Sequence, residues 1–407
     1  MISLLGIAGL ILVAFLASTD RRAINIRTVG GAFAIQACVG GFVLYFPLGK
    51  QMLNSLAQGV SGVLSFSQAG ISFLFGNLAE QSWNNLGFVF AINVLPVIVF
   101  FASLIAVLYH IKIMDWVIRV IGGALQLALK SSRPESLSAA ANIFVGQTEA
   151  PLVVKPFIRQ MTSSELFAVM VGGLASIAGS VMFGYAVMGI KLEFLLAACF
   201  MAAPGGLMMA KMIKPELGAP NNELVDLEKD DVEPYVNIFD AAASGALSGL
   251  QLALNVGAML VAFTALIAML NAMIGWVGGL VGFESLTIEL MLGYALQPVA
   301  WTLGIPWSEA NLAGSLIGQK LVFTEFIAYL NFTEVMGELS THSQAIITIA
   351  LCGFANFASI AILLGGIGTL APSRRPELAE LGLRALLAAT LANLMSAAIA
   401  GFFLSFT

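Results

Sequence analysis

The chain has 407 residues, 59% of them hydrophobic and only 10% charged, with a mean hydropathy of +0.94. Soluble domains carry roughly a quarter charged residues, so these figures exclude a water-soluble globule and point to a polytopic membrane protein. The net charge of −5 says nothing about nucleic acid, but the basic residues form no patch interleaved with aromatics, which sets a nucleic-acid binder aside; Cys38, Cys199 and Cys352 lie in apolar runs without metal or disulfide spacing, and His110 and His342 are the only histidines.

In chain order, apolar runs long enough to cross a bilayer, about 20 residues at the helix rise, fall at 2–18, 29–48, 88–109, 167–190, 194–213, 252–276, 345–370 and 385–404, which makes eight spans. The first lacks the charged start of a secretory signal and is read as a span, with a cleavable leader ending near Leu16-Ala17-Ser18 as the alternative. Residues 51–76 and 115–129 set apolar residues at helical spacing against Ser, Gln, Lys and Arg, which suits helices lying along the interface, and 235–251 resembles them. The segment 139–158, AAANIFVGQTEAPLVVKPFI, holds Asn142, Gln147, Thr148 and Glu149 in apolar surroundings. Pro151 and Pro156 forbid an uninterrupted helix there, because each lacks an amide donor and clashes with the preceding turn. It reads as a broken helix with a polar tip. The one long polar stretch, 215–234, is acidic and proline-bracketed, a solvated cytoplasmic linker between halves.

Lys and Arg gather on the cytoplasmic side of membrane proteins. With Arg21, Arg22 and Arg27 inside, and 139–158 entering and leaving on its own side, 15 of the 18 basic residues fall inside; Lys50, Lys191 and Lys320 do not. Making either 137–158 or 286–305 a full crossing would strand Arg374 and Arg375 outside, so neither is read as a span. Both termini are then expected outside.

A shift of 180 residues lays Gly173–Gly179 (GLASIAG) over Gly353–Ser359 (GFANFAS), and a shift of 172 brings Gly146-Gln147 onto Gly318-Gln319. The segment 307–330, which carries Glu325, therefore reads as a second re-entrant hairpin. Three crossings separate the copies, so the repeats are inverted, the mark of secondary transporters with a site at the repeat interface. Small-residue patterns also recur in membrane helices merely to let them approach closely.

A carboxylate at membrane depth costs roughly 2.5–3.5 kcal/mol on insertion scales, so Glu149 and Glu325 are expected to meet a ligand, an ion or water. A purely structural pairing with Lys155, Lys320 or backbone amides is the plainer account. Gln147, Thr148, Asn356 and Ser359 add neutral donors and acceptors, and no Arg pair converges with them. That inventory suits an uncharged, hydroxylated solute. Oxygens of Asn142, Ser176 and unwound carbonyls suit Na⁺, although both residues could equally be hydrogen-bonding glue between helices.

Gly146-Gln147-Thr148-Glu149-Ala150-Pro151, Glu325-Phe326-Ile327-Ala328-Tyr329 and Cys352-Gly353-Phe354-Ala355-Asn356-Phe357, in this order, resemble the concentrative nucleoside transporter family over nearly the whole chain. The resemblance implies an all-α, homotrimeric, elevator-type transporter with eight spans, two re-entrant hairpins and interfacial helices, set in a bacterial inner membrane. It implies scaffold helices at 1–110, a first transport repeat at 111–214, the linker and further scaffold helices at 215–306, and a second transport repeat at 307–407. Gln147, Thr148, Glu149, Val181 and Phe354 would address the nucleobase. Glu325, Asn356 and Ser359 would bind ribose. Na⁺ would lie on Asn142, the Val145 carbonyl, Ser176, and the carbonyls of Ile177 and Ser180. Thr324 and Gln319 depart from the usual Asn and Glu, the second at the expected tip of the later hairpin. Proton coupling through Glu149 is the alternative within the class; an intramembrane hydrolase using Glu149 and Glu325, or a passive channel, lies outside it.

Overall fold

The computed structural model describes residues 2–79, 89–218, 220, 235–280, 282–283 and 286–406, and most of the acidic linker expected at 215–234 lies outside them. The described residues form helices and connecting turns, with no strand among them. Helices α1 (Ile2–Leu16), α2 (Ile26–Leu44) and α3 (Pro47–Phe75) come first. Asn25 caps α2 by accepting from the Arg27 and Thr28 amides, and Pro47 opens α3 where its missing N–H leaves nothing unpaired. After a single turn at Phe90–Asn93 follow α4 (Leu95–His110) and α5 (Ile113–Leu129), the latter flanked by left-handed Lys112 and Lys130.

The short α6 (Arg133–Ala141) starts on a capping box between Ser132 and Glu135, then yields to an irregular tip and two single turns, Ala150–Val153 and Lys155–Ile158. Helices α7 (Ser163–Ala175) and α8 (Gly179–Val187) are separated by Ser176, Ile177 and Ala178, and α9 (Leu192–Ile213) returns beside them. Beyond the linker come α10 (Ile238–Leu280), α11 (Ile288–Thr302), α12 (Trp307–Val322), α13 (Glu325–Val335), α14 (Thr341–Leu351), α15 (Phe357–Leu370) and α16 (Arg375–Leu404).

The core is a nest of α7, α9, α14 and α16, against whose outside α1 and α2 pack. All of the most apolar stretch of α7–α8 is buried, against 11% in α3 and in α10. Helix α10 meets the chain chiefly along α4, where Gly245 and Gly249 let the backbones close in: a Cβ at either would stand 2.6–2.7 Å from Ala102 or Ala106. Helices α11 and α12 turn on each other by 116°, and a Cβ on Gly314 would come 2.8 Å from the Gln297 amide nitrogen.

By length and composition seven described helices can cross a membrane, or eight if the bent α11–α12 pair is counted as one. They are not the eight expected. Helix α3 qualifies, although 51–76 reads as interfacial. The run 235–251 and the span at 252–276 form one continuous helix, because no proline or helix-ending glycine interrupts Ile238–Leu280. The expected span 345–370 is two helices, broken over 352–356, and 167–190 is likewise broken at 176–178. The Gly-Gln correspondence between the hairpins fails: Gly146-Gln147 lies at the first tip, whereas Gly318-Gln319 lies inside α12, and the turn of the second is Phe323-Thr324. Gln319 is therefore not a tip residue; its amide bonds Ser315 and Asn331.

Candidate functional site

The two helix breaks and the two hairpin tips meet beside α10. Each break has its own cause. Helix α7 stops where Ser176 takes an extended conformation and turns its hydroxyl back onto the Gly172 carbonyl at 2.9 Å. Helix α15 starts where Asn356, also extended, caps the Ser359 amide with its Oδ1 at 2.8 Å. The Phe354 amide bonds the Ser176 carbonyl at 3.0 Å, stitching one break to the other. Likewise the Gly179 amide bonds Phe144 O at 3.0 Å, joining the first tip to the first break.

Between these elements and α10 lies a cavity of about 420 Å³, within the range of small-molecule sites. All eight residues expected to address a nucleoside, Gln147, Thr148, Glu149, Val181, Phe354, Glu325, Asn356 and Ser359, line it. Glu325 is held from two sides, by Asn356 Nδ2 at 2.8 Å and by the Tyr185 hydroxyl at 3.3 Å. Lys320 does not share that carboxylate's hydrogen bonds; it donates to the Ala350 carbonyl and to Asn393 instead. Thr324 caps α13 through the Ile327 amide (3.4 Å). At the other tip Glu149 Oε2 accepts from the Gly146 amide (3.2 Å), and Gln147 Nε2 reaches Ser359 Oγ (3.3 Å), so the halves touch directly. The Gln147 Oε1 is buried with no partner among the described residues. The wall therefore offers two carboxylates, four side-chain amides and hydroxyls beside Val181 and Phe354. It can grip a flat polar ring and a set of hydroxyl groups.

The five residues expected around an ion do not line the cavity; they lie behind it, where the first tip meets the first break. Asn142 ends α6, is 1% exposed, and neither its Oδ1 nor its Nδ2 has a partner among the described residues. A Cβ on Gly172 would come 2.9 Å from that Nδ2, so Asn142 sits at the end of α7 beside Ser176. The carbonyls of the buried residues Val145 and Ile177 accept no backbone hydrogen bond among the described residues, a rare condition for buried backbone groups. The Ser180 carbonyl belongs to the first turn of α8. Unpaired neutral oxygens at a helix C-terminus, where the dipole is negative, fit a hard monovalent cation.

Tyr185, Asn393 and the α10 residues Ser248, Gln251 and Asn255 escape the sequence reading. The last three line the cavity, with Gln251 Nε2 bonded to Asn255 Oδ1 at 3.1 Å. Their spacing of three and four residues in an apolar helix was the available signal.

A helical membrane fold with a small-molecule-sized cavity, largely apolar but carrying carboxylates and amides, at two broken helices defines a small-solute transporter. Comparisons with known proteins name the family. Residues 5–78 and 194–401 match the N- and C-terminal halves of the Na⁺ dependent nucleoside transporters, and 91–192 match a nucleoside-recognition Gate region. The chain is 51% identical to the nucleoside permease NupC of Helicobacter pylori, covering 99% of this chain and 97% of the relative. It is 36% identical to mouse sodium/nucleoside cotransporter 1 over 98% of this chain and 63% of the mouse protein. The solved structure of CNTnw in an inward-facing substrate-bound state is 54% identical, with a TM-score of 0.96 over 99% of this chain and 97% of that one. The chain belongs to the Na⁺-dependent concentrative nucleoside transporter family. It is an integral membrane transporter and not an enzyme, which sets aside the hydrolase alternative.

Proposed function

We propose that this protein is a sodium-driven symporter that imports uridine and related nucleosides across a bacterial inner membrane, as a homotrimer with both termini outside. Glu325, Asn356 and Ser359 take the ribose hydroxyls; Gln147, Thr148 and Glu149 take the base edge against Val181 and Phe354. Na⁺ is held by Asn142, Ser176 and the carbonyls of Val145, Ile177 and Ser180. The observation that carries the ion assignment is the buried Asn142 amide without a partner among the described residues. Because Asn142 and Gln147 belong to one tip, ion binding orders that tip and raises nucleoside affinity, and by linkage nucleoside raises ion affinity equally. Residues 111–214 and 307–407, which hold the re-entrant hairpins, move in an elevator stroke against 1–110 and 215–306. The bare apolar flanks of α3 and α10 favour burial between protomers or in lipid.

Uridine uptake into vesicles is to be measured under an imposed Na⁺ gradient and then a pH gradient. Accumulation with Na⁺ alone is the expected result; uptake unchanged by sodium sinks the ion assignment. Proton coupling is the second reading, favoured by Glu149 standing at the cavity wall, and the pH gradient decides it. Uptake that never exceeds the external concentration would mean a passive channel.

A further inference from the structure

The two broken helices end in different electrostatic surroundings. At the C-terminus of α7 stand Asn142, Ser176 and neutral carbonyls, with no charged side chain bonded to them among the described residues. At the C-terminus of α14 stands an ammonium. Lys320 is 3% exposed, and its Nζ donates to the Ala350 carbonyl at 2.9 Å and to Asn393 Oδ1 at 2.7 Å. Asn393 Nδ2 in turn donates to the carbonyls of Ala175 (2.6 Å) and Cys352 (3.0 Å). Ala175 closes α7, and Ala350 and Cys352 bracket the end of α14.

A helix C-terminus leaves carbonyls unsatisfied and carries negative partial charge. In an apolar interior water is not there to answer it, so a cation or a chain of amides must. The packing here is closed. A Cβ on Gly353 would stand 2.4 Å from Asn393 Oδ1 and 2.8 Å from the Ala175 carbonyl, so only glycine admits Asn393 to both ends. A buried lysine is costly at membrane depth, and these carbonyls are what it meets in return.

We infer that the Lys320 ammonium is a resident cation, holding at the second broken helix the electrostatic place that a coupling ion holds at the first. The comparison of halves rests on the sodium site proposed above; the Lys320 contacts do not. The inverted repeats thus carry two cation positions of which one is filled by the chain itself, and removing the amine turns the second into a site for a small monovalent cation.

The test uses the full-length purified protein and two variants. Lys320→Ala removes amine and stem; Lys320→Met keeps an unbranched side chain without charge. Unfolding temperature is followed in choline chloride, in sodium chloride and with increasing n-propylammonium. Lys320→Ala is expected to unfold at lower temperature in choline and to recover saturably with propylammonium, whereas Lys320→Met stays low and the wild type does not respond. If Lys320→Ala folds only when prepared with the amine, that recovery is the same result. The inference is overturned if Lys320→Met matches the wild type in unfolding temperature and uptake, for then volume alone matters. It is equally overturned if propylammonium never restores Lys320→Ala. A wild type indifferent to sodium would sink the coupling assignment and leave the amine result standing.

Discussion

The breaks at 176–178 and 352–356 interrupt two membrane helices in related places, yet their polar groups are resolved in opposite ways. Around the first, the Asn142 amide and the carbonyls of Val145 and Ile177 stay unpaired among the described residues. Around the second, Lys320, Asn393 and Asn356 leave Ala350, Cys352, Glu325 and the Ser359 amide all bonded. Two broken helices of related sequence therefore need not be functionally symmetric. A break whose polar groups are satisfied internally can be a fixed wall that presents Glu325 at a set angle, while one with unpaired oxygens can answer to something arriving from outside.

Substitutions can sharpen or break this contrast. Glu325→Gln should have the largest effect, raising the uridine Kd by about ten- to hundredfold, since charged hydrogen bonds contribute about 1.5–3 kcal/mol. Near-native affinity by calorimetry would remove Glu325 from the site. Asn356→Ala costs Glu325 one of its two partners and α15 its cap, and should weaken uridine by about tenfold. Asn142→Ala should act differently: sodium stimulation of uptake falls severalfold while uridine binding measured without sodium stays near native. If both fall together, Asn142 serves the tip's structure and the contrast fails. Gln251→Ala on α10 should be mildest, about two- to fivefold in KM, as befits a neutral and partly solvated contact worth ~0.5–1 kcal/mol.

The class of the protein was legible in hydropathy, where membrane polar residues are too costly to be scattered idly, and the candidate site through the family resemblance, whose three short motifs hold six of the eight residues, all but Val181 and Ser359. All eight cavity residues named from sequence line one cavity. Helix boundaries were less legible, for reasons that particular residues make plain. Apolar runs show no period that marks a break inside them, so the interruptions at Ser176 and at Cys352–Asn356 were hidden within continuous hydrophobic stretches. The Gly-Gln pairing misled because sequence similarity at two positions carries no register, and the second turn falls five residues later, at Phe323-Thr324. Asn393 was missed because one amide in a long apolar helix looks like glue between helices. Only its three bonds, to Lys320, Ala175 and Cys352, set it apart.

Helix α10, which walls the cavity with Ser248, Gln251 and Asn255, has 43 residues. At 1.5 Å per residue it is about 65 Å long, roughly twice the ~30 Å oily layer of a bilayer. Even at a steep tilt of ~40° the oil accommodates only about 26 of its residues. Some 17 must then lie among headgroups or in water, although exposed apolar side chains run its whole length, from Phe239 and Leu247 to Met273 and Leu280. A helix that walls the cavity therefore also reaches well past the oil, so one element touches both the solute's site and the aqueous edge of the membrane.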